Sequence, residues 1–315
     1  MAKKNSAVRH REAALSEVIG FILLLGLFVA AVSLWMMYVV PVTGREDEIT
    51  QINGVKDRFT DYKMSLDSLW TNNQTGVTLS TSFDLGTGGG STQAGGLFLP
   101  LLKPIGSSAT LSIKNTGDRL IINSSSSGNY TTDMSILEYQ SKNNYWIQQR
   151  YYYQTGGVFL AQDGGTACRV SPPLTFGRAN NGTADIASVT IVPIQVLGGS
   201  SIGGTGPVRV DSQMRTPQKI AVMSRNDWVK VTADVGDIAT ARMWMTLFNE
   251  TRLRGGITDP AWYTFGVSED SVTKRGTAYI QVNGPEAAPG SPDVFLTMQR
   301  VEYVVTLNNI ASDLT

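Results

Sequence analysis

The stretch that decides the fold is Leu15–Val40, which reads LSEVIGFILLLGLFVAAVSLWMMYVV. From Val18 to Val40 it contains one polar side chain, Ser33, and no charged residue. As a helix with a rise of about 1.5 Å per residue, this segment would be about 34 Å long, enough to cross a hydrocarbon core of about 30 Å. The sequence therefore predicts a transmembrane helix over residues 15–41, preceded by a short basic leader over residues 1–14.

The composition argues against many enzyme classes. Basic and acidic residues balance at 26 each, so no nucleic-acid partner is expected. Cys168 is the only cysteine and His10 the only histidine, which excludes an internal disulfide, a histidine-based triad and a multi-histidine metal site in the ectodomain. The glycine-rich run at Gly86–Thr92 lacks the Gly-Lys-Ser/Thr of a phosphate loop. We therefore expect a protein that is not an enzyme and has no cofactor or metal.

The charges around the apolar segment predict its orientation. The leader carries four basic residues and one acidic residue (Lys3, Lys4, Arg9, Arg11 and Glu12), whereas Arg45 is followed by three acidic residues. The positive-inside rule then places the N-terminus in the cytoplasm and the C-terminus outside the cell. A cleaved secretory signal is the rival interpretation, but its apolar region would be shorter and would end in small residues.

The residues around the start of the apolar segment resemble a known signal. Arg11–Gly20 reads REAALSEVIG and resembles the N-terminus of archaeal type IV pilins and pilin-like surface proteins. The resemblance implies a class III signal peptide cut by a prepilin peptidase between Ala14 and Leu15, with the helix kept on the mature protein. The basic residue that usually stands directly before the small residue is displaced to Arg11, so a cut one or two residues earlier stays open.

The helix motif itself is Ser16, Glu17, Val18, Ile19 and Gly20. Glu17 stands at the inner edge of the apolar run, where an ionised carboxylate is costly unless it is hydrated or paired. It is either a hydrated interfacial group or, as the resemblance implies, the partner of a neighbouring subunit's new amino terminus in a filament. The predicted partners are thus the lipid bilayer, the prepilin peptidase and other pilin-like subunits that pack along the helix.

Beyond the membrane, Pro41 and Gly44 are expected to interrupt or kink the helix. An amphipathic helix then follows over residues 42–71, because apolar residues recur every three or four positions on one face. They are Ile49, Ile52, Val55, Phe59, Tyr62, Leu66 and Leu69. This stripe is expected to pack against the following head.

The head, residues 72–315, is predicted to be β-rich and extracellular. Short runs of β-branched and aromatic residues predict strands at Val77–Asp84, Ala109–Lys114, Arg119–Asn123, Ser135–Gln140, Tyr145–Tyr153, Val158–Gln162, Ala187–Val196, Lys219–Met223, Trp228–Thr232, Thr277–Val282 and Val294–Leu307. One helix is predicted at Ile238–Arg252. The fold class is α+β, with a sandwich-like head and a possible boundary between two β modules near residues 198–206. No fixed-period repeat supports a solenoid or propeller.

Two sets of head residues are candidate surface sites. Five Asn-x-Ser/Thr motifs predict N-glycosylation, at Asn73, Asn123, Asn129, Asn181 and Asn249. Aromatic residues concentrate at Tyr145, Trp146, Tyr151, Tyr152 and Tyr153. They form either cross-strand packing pairs or an exposed patch that binds surface glycans.

These observations predict a single-pass cell-surface glycoprotein of archaeal pilin-like type, with a structural or adhesive function. The large head favours a minor subunit of a type IV pilus-like assembly over a major pilin. The alternative is a permanently membrane-anchored adhesin or glycan-binding receptor whose helix is only a tether.

Overall fold

The computed structural model of the chain describes residues 5–88, 103–180, 185–215, 221–285 and 293–309, and the side chains of residues 5–17, 221 and 222 lie outside this description. The N-terminal part is one continuous helical rod. It consists of α1 (Asn5–Leu34), a π-helical turn (Trp35–Val39) and α2 (Val40–Thr71). The long apolar helix and the strand-rich domain after it confirm the α+β fold class.

The expected interruption at Pro41 and Gly44 does not occur, since the rod is helical through both residues. The irregularity is confined to the π-helical turn directly before Pro41. Proline has no N–H and its ring crowds the carbonyl one turn earlier, and a wider turn relieves both problems without ending the helix.

The apolar stripe of α2 is confirmed. Six of its seven predicted residues are buried (Ile52, Val55, Phe59, Tyr62, Leu66 and Leu69), and Ile49 is half-buried. Gly54 is exposed with open space where a side chain would stand, so it makes no close contact that requires glycine.

The head is built mainly from strands. In chain order they are β1 (Thr78–Asp84), β2 (Ser108–Lys114), β3 (Arg119–Ser124), β4 (Gly128–Asp133), β5 (Ile136–Lys142), β6 (Gln149–Gln154), β7 (Gly157–Gln162), β8 (Gly165–Val170), β9 (Leu174–Asn180), β10 (Asp185–Ile191), β11 (Ile194–Leu197), β12 (Ser201–Gly204), β13 (Pro207–Met214), β14 (Ala221–Asn226), β15 (Val229–Val235), β16 (Tyr263–Glu269), β17 (Gly276–Val282), β18 (Val294–Gln299) and β19 (Val301–Asn309).

These strands form four sheets. Sheet 1 has the order β1-β13-β19-β11, sheet 2 β12-β2-β5-β6-β7-β8, sheet 3 β16-β17-β15-β3-β4, and sheet 4 β14-β18-β10-β9. Neighbouring strands are antiparallel except for the pairs β10/β18 and β11/β19, which are parallel. The sheets are arranged in a propeller-like ring, and the predicted sandwich-like head is not confirmed. Each sheet draws its strands from distant parts of the chain, which explains why no repeat marks the ring in the sequence.

Two apolar cores fill the head. The α2 core lies among α2, sheet 1 and one face of sheet 2, and the α3 core lies among helix α3 (Ile238–Arg254), sheets 3 and 4 and the other face of sheet 2. Sheet 2 is therefore covered on both faces, as β6 illustrates, because Tyr151 and Tyr153 point into the α2 core and Tyr152 into the α3 core.

Two predicted strands turn out to be pairs of strands that connect the cores. Ala187–Val196 divides at Val192–Pro193 into β10 in sheet 4 and β11 in sheet 1, and Val294–Leu307 divides at Arg300 into β18 and β19 in the same two sheets. The residues have the expected β propensity, but alternation alone does not mark the corner at which a strand changes sheets. The two broken strands run side by side through this corner.

Two further predicted segments contain structure that the sequence did not indicate. The segment at residues 198–206, predicted as a possible boundary between two β modules, contains β12, which pairs with β2 in sheet 2. The strand at Tyr145–Tyr153 begins only at Gln149, since the preceding residues form a loop that contacts α2. The predicted helix at Ile238–Arg252 is confirmed, and Asp237 caps it by accepting a hydrogen bond from the Thr240 N–H at 2.8 Å.

The burial of the α2 stripe leads to a stability prediction. Phe59 is fully buried between Phe83 and Tyr151, so Phe59→Ala should lower the free energy of unfolding by about 3–5 kcal/mol. Met64 lies on the same helix with 65% of its surface exposed, and Met64→Ala should change it by less than about 0.5 kcal/mol. Urea unfolding of the full chain in detergent, followed by circular dichroism, measures the free energy of unfolding of each variant. An equal loss of free energy in Phe59→Ala and Met64→Ala would contradict this packing.

Candidate membrane anchor and helix–head junction

The front half of the rod is an uncovered apolar surface. The large apolar side chains from Val18 to Val42 are mostly exposed, and none of the most apolar window of this helix is buried against the head. Among the described residues, Val18–Thr71 is the one helix that is long and apolar enough to span a membrane. The cut-site residues Ala14 and Leu15 and the motif residues Ser16, Glu17, Val18, Ile19 and Gly20 all lie in α1.

The contacts between the rod and the head at Gly44–Glu48 begin two residues beyond this exposed surface. Glu48 is only 2% exposed, and its carboxylate accepts hydrogen bonds from two backbone N–H groups, that of Asn144 at 2.6 Å and that of Tyr145 at 2.9 Å. A charge-assisted pair of this kind is among the stronger hydrogen-bonding arrangements in proteins. It ties the loop between β5 and β6 to the side of α2.

Two neighbours of Glu48 complete the junction. A Cβ atom at Gly44 would collide with the ring of Tyr145, so the ring and the helix backbone are in direct contact. The Arg45 guanidinium lies over the Trp146 ring, 4.1 Å from its centroid. The Tyr145 hydroxyl in turn accepts a hydrogen bond from the Ile105 N–H at 3.0 Å, which brings a second loop to the helix.

This junction could not be predicted from the sequence. Glu48 is read as one of several acidic residues outside the membrane, and Gly44 as a helix interrupter. Their partners lie about a hundred positions away, where Asn144 directly precedes the strand predicted at Tyr145–Tyr153 and Tyr145 is its first residue. No local pattern could pair them.

The predicted aromatic binding patch is not an exposed surface. Tyr151, Tyr152 and Tyr153 are buried, at 4%, 4% and 0% exposure, and serve as core residues of β6. Burial raises the pKa of all three phenols, so they stay neutral. Tyr145 and Trp146 are half-buried against α2. Packing, the other interpretation left open by the sequence, accounts for these residues.

The glycosylation motifs differ in accessibility. Asn73 is exposed in the turn after α2 with a left-handed backbone (φ 51°), and Asn129 is exposed on the edge strand β4. Asn123 is half-buried in β3, between β15 and β4. Asn249 lies within α3, where its Oδ1 accepts a hydrogen bond from Arg252 and the motif residue Thr251 is buried. Asn181 lies outside the described residues.

Three side chains of the head that could be chemically reactive, Cys168, Asp118 and Glu138, are half-buried or buried. Burial raises the pKa of the Cys168 thiol to about 11, which keeps it protonated at neutral pH, in a pocket between β8 and α3. Burial also raises the pKa of Asp118, which hydrogen-bonds Gln154 and lies near Arg275. Glu138 is buried between Lys114 and Arg150, at 2.6 and 3.2 Å. Within the described ranges, no group of three or more His, Cys, Asp or Glu side chains could hold a metal ion.

No protein-family model matches the chain, and neither a curated protein nor a solved structure matches it. The candidate sites therefore rest on the residues and geometry described above.

The junction yields a test of local stability. Glu48→Ala leaves the N–H groups of Asn144 and Tyr145 without their acceptor, which should weaken the loop by about 3 kcal/mol and speed exchange of these amides about 100-fold. Gly44→Ala should act in the same direction by displacing Tyr145. Hydrogen exchange of the full chain measures the rates, and the exposed neighbour Asp47→Ala is the matched control. Unchanged exchange in Glu48→Ala would refute the junction.

Accessibility also ranks the glycosylation motifs. In the native host, Asn73→Gln should remove one glycan mass from the purified protein, because this motif lies in an exposed turn. Asn249→Gln should change only the mass of the side chain, because its motif is held in a helix with Thr251 buried. Intact-mass and glycopeptide analysis compares the two, and a glycan on Asn249 with none on Asn73 would overturn this ranking.

Proposed function

We propose that the chain is an archaeal pilin-like cell-surface protein with a structural or adhesive role, and that it is a minor subunit of a type IV pilus-like assembly. The observation that carries this proposal is the continuous helical rod from Asn5 to Thr71, which is apolar and mostly exposed from Val18 to Val42 and packs into the head beyond Gly44. Such a layout suits a helix that moves from the bilayer into a bundle of equivalent helices.

The helix surface is compatible with either environment. Its exposed residues are aliphatic or aromatic, and Gly20 and Gly26 have open space around them where another helix could approach. The basic leader supports a cytoplasmic N-terminus, and cleavage between Ala14 and Leu15 would create a new amino group two residues before Glu17. Glu17 of one subunit would then pair with the amino terminus of its neighbour.

The second candidate, a permanently anchored adhesin or glycan-binding receptor, uses the same uncovered helix as a tether. The argument for its predicted aromatic binding surface is weaker, because Tyr151, Tyr152 and Tyr153 are buried in the two cores. The exposed motif at Asn73 suits a head that faces outward in both candidates.

The state of the N-terminus in the native host tests the proposal. Mass spectrometry should find a mature protein that begins at or just before Leu15, and shearing should release it with surface filaments. Ala14→Asp should block the cut, since the resemblance implies a small residue there.

Two acidic residues provide a matched pair. Glu17→Ala should be processed normally yet lost from sheared filaments, because it lacks the carboxylate that pairs with the new amino terminus. Glu12→Ala should behave as the natural chain, since residue 12 leaves with the leader. An intact Met1 together with absence from filaments would eliminate the filament function and favour the tether.

A further inference from the structure

The exposed apolar surface ends almost where the head begins. Val18–Val42 as a helix is about 37 Å long, whereas the hydrocarbon core it would cross is about 30 Å thick. The apolar surface therefore extends beyond the hydrocarbon core, and the first buried residue of the head junction, Gly44, follows Val42 by two positions. A single polar residue, Thr43, separates the exposed apolar helix from the head.

Two connected segments of the head lie beside the rod at this level. We call residues 103–106 and 142–148 the collar. Glu48 holds the second loop through the Asn144 and Tyr145 amides, and Asn144 Nδ2 donates to the carbonyls of Ile105 and Gly106 at 3.3 and 3.2 Å. The collar is thus attached to the helix at a defined height.

The collar carries apolar side chains that the fold leaves uncovered. Ile105 is 73% exposed and Ile147 is 42% exposed, although Ile147 follows Trp146, which packs on Arg45, and the Ile105 N–H donates to the hydroxyl of Tyr145. Trp146 is half-buried beneath Arg45, an arrangement in which an amphipathic ring lies beside a cation. Such side chains are typical of protein surfaces that contact the boundary between lipid headgroups and acyl chains.

The charges near the collar favour contact that does not depend on anionic lipid. Lys103, Lys142 and Arg45 are exposed, but so are Glu46 and Asp47 on the same turn of the helix as Arg45. The basic groups are therefore largely offset, and burial of Ile105 and Ile147 is the main source of attraction.

We propose that the collar rests on the outer surface of the lipid bilayer and inserts Ile105 and Ile147 into the headgroup layer. The inference rests on the proposed membrane position of the helix and is independent of filament assembly. Because Glu48 fixes the collar to α2, this contact would hold the head at one orientation to the membrane and leave the far side of the head free for partners.

Site-specific labels test the proposal on the full chain in neutral phosphatidylcholine vesicles. In a Cys168→Ser background, single cysteines replace Ile105 or Ile147 and receive a fluorophore, and lipids with a headgroup nitroxide act as the quencher. Labels at Ile105 and Ile147 should be quenched several-fold more than labels at two exposed control positions. The controls are Met64→Cys, about 30 Å beyond Gly44 along the helix, and Val272→Cys, in the turn between β16 and β17. All four positions are exposed, so the substitutions leave the cores intact.

A fifth label separates the possible failures. Leu25→Cys, in the middle of the apolar helix, should be quenched by lipids with a nitroxide deep in the acyl chain. Quenching at Leu25 but not at Ile105 and Ile147 would overturn the collar proposal and leave the anchor intact. No quenching at Leu25 would overturn both. Intermolecular disulfides at Ile147→Cys without lipid quenching would make the collar a contact between copies of the chain and would also overturn the proposal. None of these outcomes bears on processing at Ala14, which the mature N-terminus decides separately.

Discussion

Burial of the apolar stripe of α2 against sheets 1 and 2 is the interaction on which the rest of the structure depends. Phe59, Tyr62 and Leu66 are fully buried there, so the helix is a core element of the head as well as a stalk. The hydroxyls of Tyr62 and Ser212 are hydrogen-bonded at 2.8 Å, and Tyr303 donates to the Leu66 carbonyl at 2.6 Å. These bonds satisfy polar atoms that burial would otherwise leave unpaired. They also join α2 to β13 and β19, which follow it by well over a hundred residues.

The helical rod lies in two different surroundings along its length. From Val18 to Val42 its side chains are almost all apolar and mostly exposed, whereas from Gly44 onward one face is buried. Because the rod stays helical through the π-helical turn, no loop separates these two parts. The position of the head relative to the apolar segment therefore follows from contacts at Gly44, Arg45 and Glu48. Whether lipid or other helices surround the apolar segment, the head begins close to its end.

Sheet 2 connects the α2 core with the α3 core. It is covered by α2 and sheet 1 on one face and by α3 and sheets 3 and 4 on the other, so alternate residues of β6 belong to different cores. The parallel pairs β10/β18 and β11/β19 cross from sheet 4 to sheet 1 and link the cores a second time. A head built in this way transmits the position of α2 to all four sheets, because each core shares strands or chain segments with the other.

The sequence by itself determined the features that arise from local chemistry. The uncharged run from Val18 to Val40 predicts the apolar helix, the three-to-four spacing from Ile52 to Leu69 predicts the buried stripe, and β-branched runs predict most strands. Tertiary structure alone decided which strands share a sheet, that Ala187–Val196 divides at Pro193, and that Tyr151–Tyr153 face two cores and no solvent. It also decided that Glu48 binds the Asn144 and Tyr145 amides. Periodicity reports which face of an element is apolar, but the partner of that face is chosen by packing between residues far apart in the chain, and no short-range pattern records that choice.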